Sequence, residues 1–293
     1  MGLRRIRNSL NSTVAPYYLT NSDKHGHYWS LTAQLQKTFP WGLDLMAAYT
    51  RSESIGIQEG WGDQVSSLFA GGNYAVNGSN HQELGHSAFG APHRVIANVS
   101  YRLQEGRHLA TTFGIFYEGY NQLYVGSNSY TRMSYVIGTQ SGQYTNPVTG
   151  EGGSLNLIYI PTDSQLSNMV FTSEDNKAEY KSFLESDKYL SAHRGEYSTR
   201  GGVVAPWLHR FNFKIAQDFI VNIAGRPTTL QIGADVLNVG NLINPNWGLA
   251  KQYSSETILK ISNGTYSFTA PKVNTYKNIA NTWQALLSAR FFF

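Results

Sequence analysis

Eight histidines, nineteen acidic residues and no cysteine are what this 293-residue chain offers to chemistry. The missing cysteines remove thiol nucleophiles, thiolate metal sites and disulfides. His25 and His27 lie two apart, on one face of an extended segment, and His81 and His86 fall close together further along. Neither pair has a third ligand nearby, and zinc needs three or four. Glu118, Glu151 and Asp163 are isolated, and G-x-S-x-G, P-loop and H-E-x-x-H signatures do not occur. No enzymatic activity, cofactor or metal is therefore expected. What remains is stacking: Trp61, Tyr74, Tyr117, Tyr120, Tyr124, Tyr130 and Tyr135 could hold a sugar or a peptide. Aromatic side chains in loops more often pack the loop itself.

The composition points to the scaffold that must carry these residues. Charged residues make up 14%, against about 25% in ordinary soluble domains. Aromatics reach 13%, with 19 tyrosines, and there are 28 glycines. Mean hydropathy is only −0.33, and no apolar run approaches the roughly 18 residues of a membrane-spanning helix. A polar-on-average but aromatic-rich chain fits a transmembrane β-barrel, whose alternation conceals its hydrophobicity from averaging. The charge of +4 is mild and the basic residues are scattered, so nucleic-acid binding is not expected. Arg4, Arg5 and Arg7 are followed by Asn8, Ser9, Asn11 and Ser12 instead of an apolar stretch. No export signal is visible, which for an outer-membrane protein implies a mature or incomplete chain.

The clearest strands come in pairs. Trp29, Leu31, Ala33 and Leu35 alternate with polar residues, Pro40–Gly42 make a turn, and Leu43, Leu45, Ala47 and Tyr49 continue. Val95 to Leu103 and Leu109 to Tyr117 form a second pair. Segments 210–219 and 230–237 form a third, joined by about eight residues around "IVNIAGRP". The last strand is "WQALLSARFFF", with Trp283, Ala285, Leu287, Ala289, Phe291 and Phe293 on one face. Links within pairs are short, whereas roughly 40 to over 80 residues separate the pairs. Short turns at one end and long loops at the other are characteristic of outer-membrane barrels. One long loop carries a helix: Ser173 is its N-cap, Glu174 and Asp175 lie in the first turn, and Tyr180, Phe183 and Leu184 share a face.

Four stretches, "FYEGY" (116–120), "LNLIYIP" (155–161), "GGVVAPWLHRFNFKIAQDF" (201–219) and "DVLNVGNLINPNWG" (235–248), occur in that order before the terminal aromatic strand. Together they resemble the C-terminal barrel of Oar-like TonB-dependent outer-membrane receptors of the Bacteroidetes type, over residues 93–293. The resemblance implies a 22-stranded barrel filled by an N-terminal plug and driven through TonB. This chain shows about seven strands and no plug, so residues 1–293 are expected to be the C-terminal portion of such a barrel. The role implied is substrate uptake or surface adhesion, with the substrate unknown.

The expected fold is therefore all-β, an antiparallel transmembrane barrel segment with long extracellular loops and one short loop helix. Arg94, Asn98, Arg102, Arg210, Asn212, Lys214, Asp218, Gln231, Asp235, Gln284 and Arg290 fall on the polar face and would line the lumen. There they serve as plug contacts or a substrate path, or simply brace a hydrated wall. Trp283, Leu287, Phe291 and Phe293 would meet outer-membrane lipid. A terminal aromatic also resembles the signal read by the barrel-assembly machinery, which would put the C-terminus in the periplasm. The other architectures open to this pattern are a self-contained small outer-membrane barrel acting as a pore or structural protein, and a soluble carbohydrate-binding β-sandwich.

Overall fold

Apolar–polar alternation becomes seven long strands in the computed structural model, which describes residues 3–5, 17–19, 21–57, 74–76, 83–139, 144–145, 152–153, 155–223 and 225–293. They are β1 (His27–Thr38), β2 (Leu43–Gly56), β3 (His93–Glu105), β4 (Leu109–Asn121), β5 (Trp207–Ile223), β6 (Arg226–Leu237) and β7 (Gln284–Phe292). Each pairs antiparallel with the next in chain order, giving one sheet with β1 and β7 at its edges. The β5–β6 link is shorter than the expected eight residues. Alternation continues through Phe219, Val221 and Ile223, so pairing runs on until Ile223 meets Arg226. The turn between β1 and β2 depends on Gly42, at φ +98°. A side chain there would strike the Arg102 carbonyl oxygen, and the Gly42 carbonyl accepts a 2.9 Å bond from the Arg102 N–H.

The register fixes two faces. Leu45, Val99, Ile115, Phe213, Val236 and Ala285 oppose one another in sequence across six strands. Side chains in register point to the same side, so these rows make one continuous apolar face. Leu35 and Leu287 on that face are 81% and 82% exposed. In a β-sandwich a second sheet would cover such a face. Among the described residues nothing does, which sets the soluble sandwich aside. Strand β1 is exposed at every residue, on both faces.

The packed core lies elsewhere. The described residues of segments 122–206 and 238–283, which follow β4 and β6, fold together. Residues 136–139 and 155–157 join 257–262 and 265–268 in a four-stranded sheet whose central pair, 136–139 with 257–261, is parallel. A second sheet unites 123–125 and 128–130 with 251–253 and 273–275. Where one loop helix was expected, the described residues between β4 and β5 hold three: α1 (Asp163–Ser167), α2 (Glu174–Ser186) and α3 (Lys188–Ala192). Ser173 caps α2 as expected, its Oγ accepting a bond of 3.1 Å from the Asn176 N–H. Asp187 separates α2 from α3, accepting from the N–H groups of Tyr189 and Leu190 at 2.9 Å. Tyr180, Leu184, Leu190, Ile158, Ile160 and Ile258 are sealed in the core between these parts. The two regions therefore obey opposite rules: the wall turns its apolar groups outward, and the loop assembly turns them inward.

Candidate functional site

The polar face of the wall collects the side chains that sequence assigned to a lumen. Arg102 on β3, Asp218 on β5 and Gln231 on β6 all lie on it, opposite the apolar rows. Asp218 is 5% exposed. Its Oδ2 accepts a 2.6 Å bond from Arg102 Nη1, and its Oδ1 a 2.8 Å bond from Gln231 Nε2. Arg102 Nη1 also reaches Thr112 Oγ1 on β4 at 3.4 Å, and Arg290 on β7 stands in register with Gln231. A polar belt thus crosses five strands near the short-turn end. Both oxygens of its buried carboxylate are occupied, so the belt braces the wall.

The other polar-face residues divide between bracing and open wall. Arg94 forms a 2.6 Å ion pair with Glu118 across β3–β4. Glu118 is thus not isolated, and neither is Asp163, which accepts 2.6 Å from Arg194; Glu151 lies outside the described residues. Arg210 donates to the Gly248 carbonyl at 3.2 Å and to Asn281 Oδ1 at 3.1 Å. Asn212 Oδ1 accepts from the Asn238 N–H at 2.8 Å. Lys214 and Asp235 oppose each other in register. Asn98 opposes Met46 and Phe116 in the middle of the sheet. Gln284 opposes Leu237 near the loops, its Nε2 donating to the Ile279 carbonyl at 3.1 Å.

The stretch 235–248 is a rim staple. Asn238 leaves β6 in the left-handed region at φ 50° and opens α4 (Val239–Ile243). Its Nδ2 donates to the carbonyls of Gly248 and Asn281, and Asn241 ties Trp247 to Trp283. Gly248, at φ +65°, is required because a Cβ would run into the Asn238 side chain. On the opposite face, Leu287, Phe291 and Phe293 form the exposed end of the apolar surface, with the rings of Phe291 and Phe293 6.0 Å apart. Trp283 precedes β7 and is 44% exposed.

Above the wall, Glu256 joins three loops. Its Oε1 accepts from the Ser134 N–H at 2.9 Å and its Oε2 from the Tyr74 hydroxyl at 2.9 Å. Burial pushes the Glu256 carboxyl pKa up, opposed by these two hydrogen bonds. Burial, followed by the Glu256 charge, raises the Tyr74 phenol. Tyr135 donates 2.6 Å to Asp187 Oδ2, and burial followed by that bond raises its pKa. Tyr124 stacks on Tyr276 at 3.8 Å. Tyr74, Tyr124 and Tyr135 thus pack within the loop assembly, while Tyr117 and Tyr120 lie in β4 itself. Trp61 and His81 lie outside the described residues. A cavity of about 290 Å³ remains in the assembly, bordered by Tyr159, Tyr197 and Tyr266, with no charged side chain in its lining. Among the described residues, no three His, Asp or Glu side chains converge as metal ligands.

Sequence reading did not single out Glu256, Asp187 or Tyr266. Asp187 could have been found, because an Asp between two helical stretches is a capping signal. Glu256 had no local signal, since its partners come from other loops.

Among the described residues, no helix is long and apolar enough to cross a membrane, which leaves crossing by strands open. A family model described as "Outer membrane beta barrel domain" matches residues 4–270. No curated protein matches the chain. No solved structure matches it either.

Proposed function

From the premise that this chain belongs to the outer membrane β-barrel domain family, we propose that its seven strands are the C-terminal part of a larger TonB-dependent, Oar-like receptor barrel used for uptake. In this reading the apolar face meets outer-membrane lipid and the polar face surrounds a plug. The long-loop end lies outside, the C-terminus lies in the periplasm, and the terminal aromatics address the barrel-assembly machinery. Transport follows from energy delivered by TonB to the plug, with no catalysis by this chain. The substrate enters past the loop assembly.

The observation that carries the proposal is the first edge of the sheet, along which no strand among the described residues pairs. Strand β1 spans twelve residues and is exposed throughout. Alternate residues of an edge strand point their N–H and C=O groups outward, which leaves about a dozen backbone groups without a strand partner among the described residues. At several kcal/mol each in hydrocarbon, such an edge cannot persist in a bilayer. Further strands must cover it, and the polar face gives them a hydrated interior to enclose.

An immunoblot of outer membranes, with an antibody against residues 173–190, tests the reading. A heat-modifiable band at roughly three times the chain's 32.6 kDa is expected for a plugged barrel of about 22 strands. A heat-modifiable band at the chain's own mass would refute it in favour of a self-contained small barrel.

A further inference from the structure

The cavity of about 290 Å³ in the loop assembly takes no lining residue from the seven wall strands. Its volume is just below the roughly 300–1,000 Å³ of small-ligand sites, so it holds a single ring. Leu259 and Met169 give it an apolar side, while the phenols of Tyr159, Tyr197 and Tyr266, with the Gln165 amide, supply its polar groups. These walls are fixed by the fold. Thr162 and Gln165 close a capping box at the start of α1. Gln165 Oε1 accepts from the Thr162 N–H at 2.9 Å, and its Nε2 donates to the Tyr159 hydroxyl at 2.9 Å. That hydroxyl donates its own hydrogen to the Gly195 carbonyl at 3.0 Å. The backbones of Tyr159 and Tyr197 bridge, and their rings meet edge to face at 5.0 Å. Tyr266 is held by its main chain: its N–H donates to the Val170 carbonyl at 2.8 Å, and its carbonyl accepts from the Thr172 N–H at 3.0 Å. Walls set in this way lower the cost of ordering on binding.

What the walls leave open are two hydroxyls and one amide hydrogen. The Tyr197 and Tyr266 hydroxyls have no hydrogen-bond partner among the described residues. Burial, followed by the neighbouring Tyr197 phenol, raises the Tyr266 pKa, so this hydroxyl stays protonated and can both donate and accept. Gln165 Nε2 spends one hydrogen on Tyr159 and keeps the second. Tyr197 is 46% exposed, which opens the site to solvent.

These groups narrow the ligand class. A charged ligand would lose its hydration against a lining with no charged side chain among the described residues. A wholly apolar ligand would strand the Tyr266 hydroxyl and the Gln165 hydrogen. A neutral ring with hydroxyls on its rim and C–H groups on its faces suits both halves of the cavity. We propose that the cavity binds one neutral sugar residue, a pyranose packed against the tyrosine rings with its hydroxyls bonded to Tyr197, Tyr266 and Gln165. Assigning that sugar to uptake rests on the receptor function proposed above; the site itself does not.

The test titrates the full protein, extracted in an amine-oxide detergent without a sugar headgroup, and reads binding by saturation-transfer NMR. The probes are the methyl pyranosides of glucose, galactose and mannose, and N-acetylglucosamine, with glucuronate as the charged control and indole as the apolar one. At least one neutral sugar should bind, with glucuronate and indole about tenfold weaker or more. Tyr266→Phe keeps the ring and removes only a hydroxyl that no described residue uses, so it should fold normally and weaken the sugar about fivefold. Tyr276→Phe, which alters a phenol of the same assembly outside the cavity lining, should leave binding unchanged. Heat-modifiable migration verifies folding of each variant. Binding of none of the four sugars, equal affinity for glucuronate or indole, or equal weakening by Y266F and Y276F would overturn the site. The immunoblot answers separately. Sugar binding by a protein that runs at the chain's own mass would uphold the site and refute the receptor; a high-mass protein that binds none of the sugars would strike the site and leave the receptor standing.

Discussion

Replacing Glu256 with alanine should loosen the loop assembly without disturbing the wall. The carboxylate satisfies two donors from separate loops, the Ser134 N–H and the Tyr74 hydroxyl, each at 2.9 Å. An unmet buried donor costs about 1–3 kcal/mol. Ser134 is 3% exposed and loses its bond outright, whereas Tyr74 is only half-buried and recovers part of its loss from water. Removing a desolvated carboxylate returns some energy, so the net cost is about 2 kcal/mol. Hydrogen exchange of peptides spanning 132–139 and 255–262 should then accelerate about 30-fold, with no change in β3–β6. Glu256→Gln keeps the Ser134 bond through its amide oxygen and meets the Tyr74 phenol oxygen by donating from its amide nitrogen, as the protonated acid does, and should exchange like the parent at acid pH. The sign of the pH effect follows from the raised carboxyl pKa. Between the ordinary value of 4.5 and the raised folded value, the folded state binds the proton more readily, so stability falls as pH rises. Protection of these loops should be full below 4.5 and decline through the folded pKa, and E256Q should abolish that decline. Unchanged exchange in E256A, or protection that grows as pH rises through this window, would refute the reasoning.

In the wall, Asp218→Ala removes two charge-assisted bonds; because Arg102 is nearly half exposed and can rehydrate, the cost should be about 2 kcal/mol, read as a lower urea midpoint of the heat-modifiable band, with Asp218→Asn in between. Leu287→Arg should destabilise by about 2–4 kcal/mol because it puts a charge on the lipid side. Leu286→Arg, one residue away on the polar face beside Asp235, should cost little in the same assay, and equal effects would show that the faces are misassigned. Gly42→Ala should cost more than about 2 kcal/mol, combining a left-handed backbone with a collision at the Arg102 carbonyl, and should lower the yield of folded, heat-modifiable protein.

The wall was legible in the chain because its information is local. Period-two alternation places Leu45, Val99, Ile115 and Phe213 on one face before any pairing is known, and short turn sequences leave only neighbours to pair with. The ends were less legible. Residues 220–223 read as part of a link because Asn222 and Gly225 interrupt the pattern, yet cross-strand pairing extends the ladder to Ile223–Arg226. In the loop assembly the capped helix α2 was visible in Ser173 and its acidic first turn. The parallel pairing of 136–139 with 257–261 was not, because no spacing within either segment refers to the other.

The same distinction separates the polar residues. Sequence alone determined which side of the wall Arg102 and Asp218 occupy, since side-chain parity is a property of the strand itself. Only the tertiary structure decided that Asp218 is spent on Arg102 and Gln231 and that Glu256 joins three loops. Those groups come from segments far apart along the chain. A local pattern tells a side chain which way to face; its partner is set by how the remote segments pack.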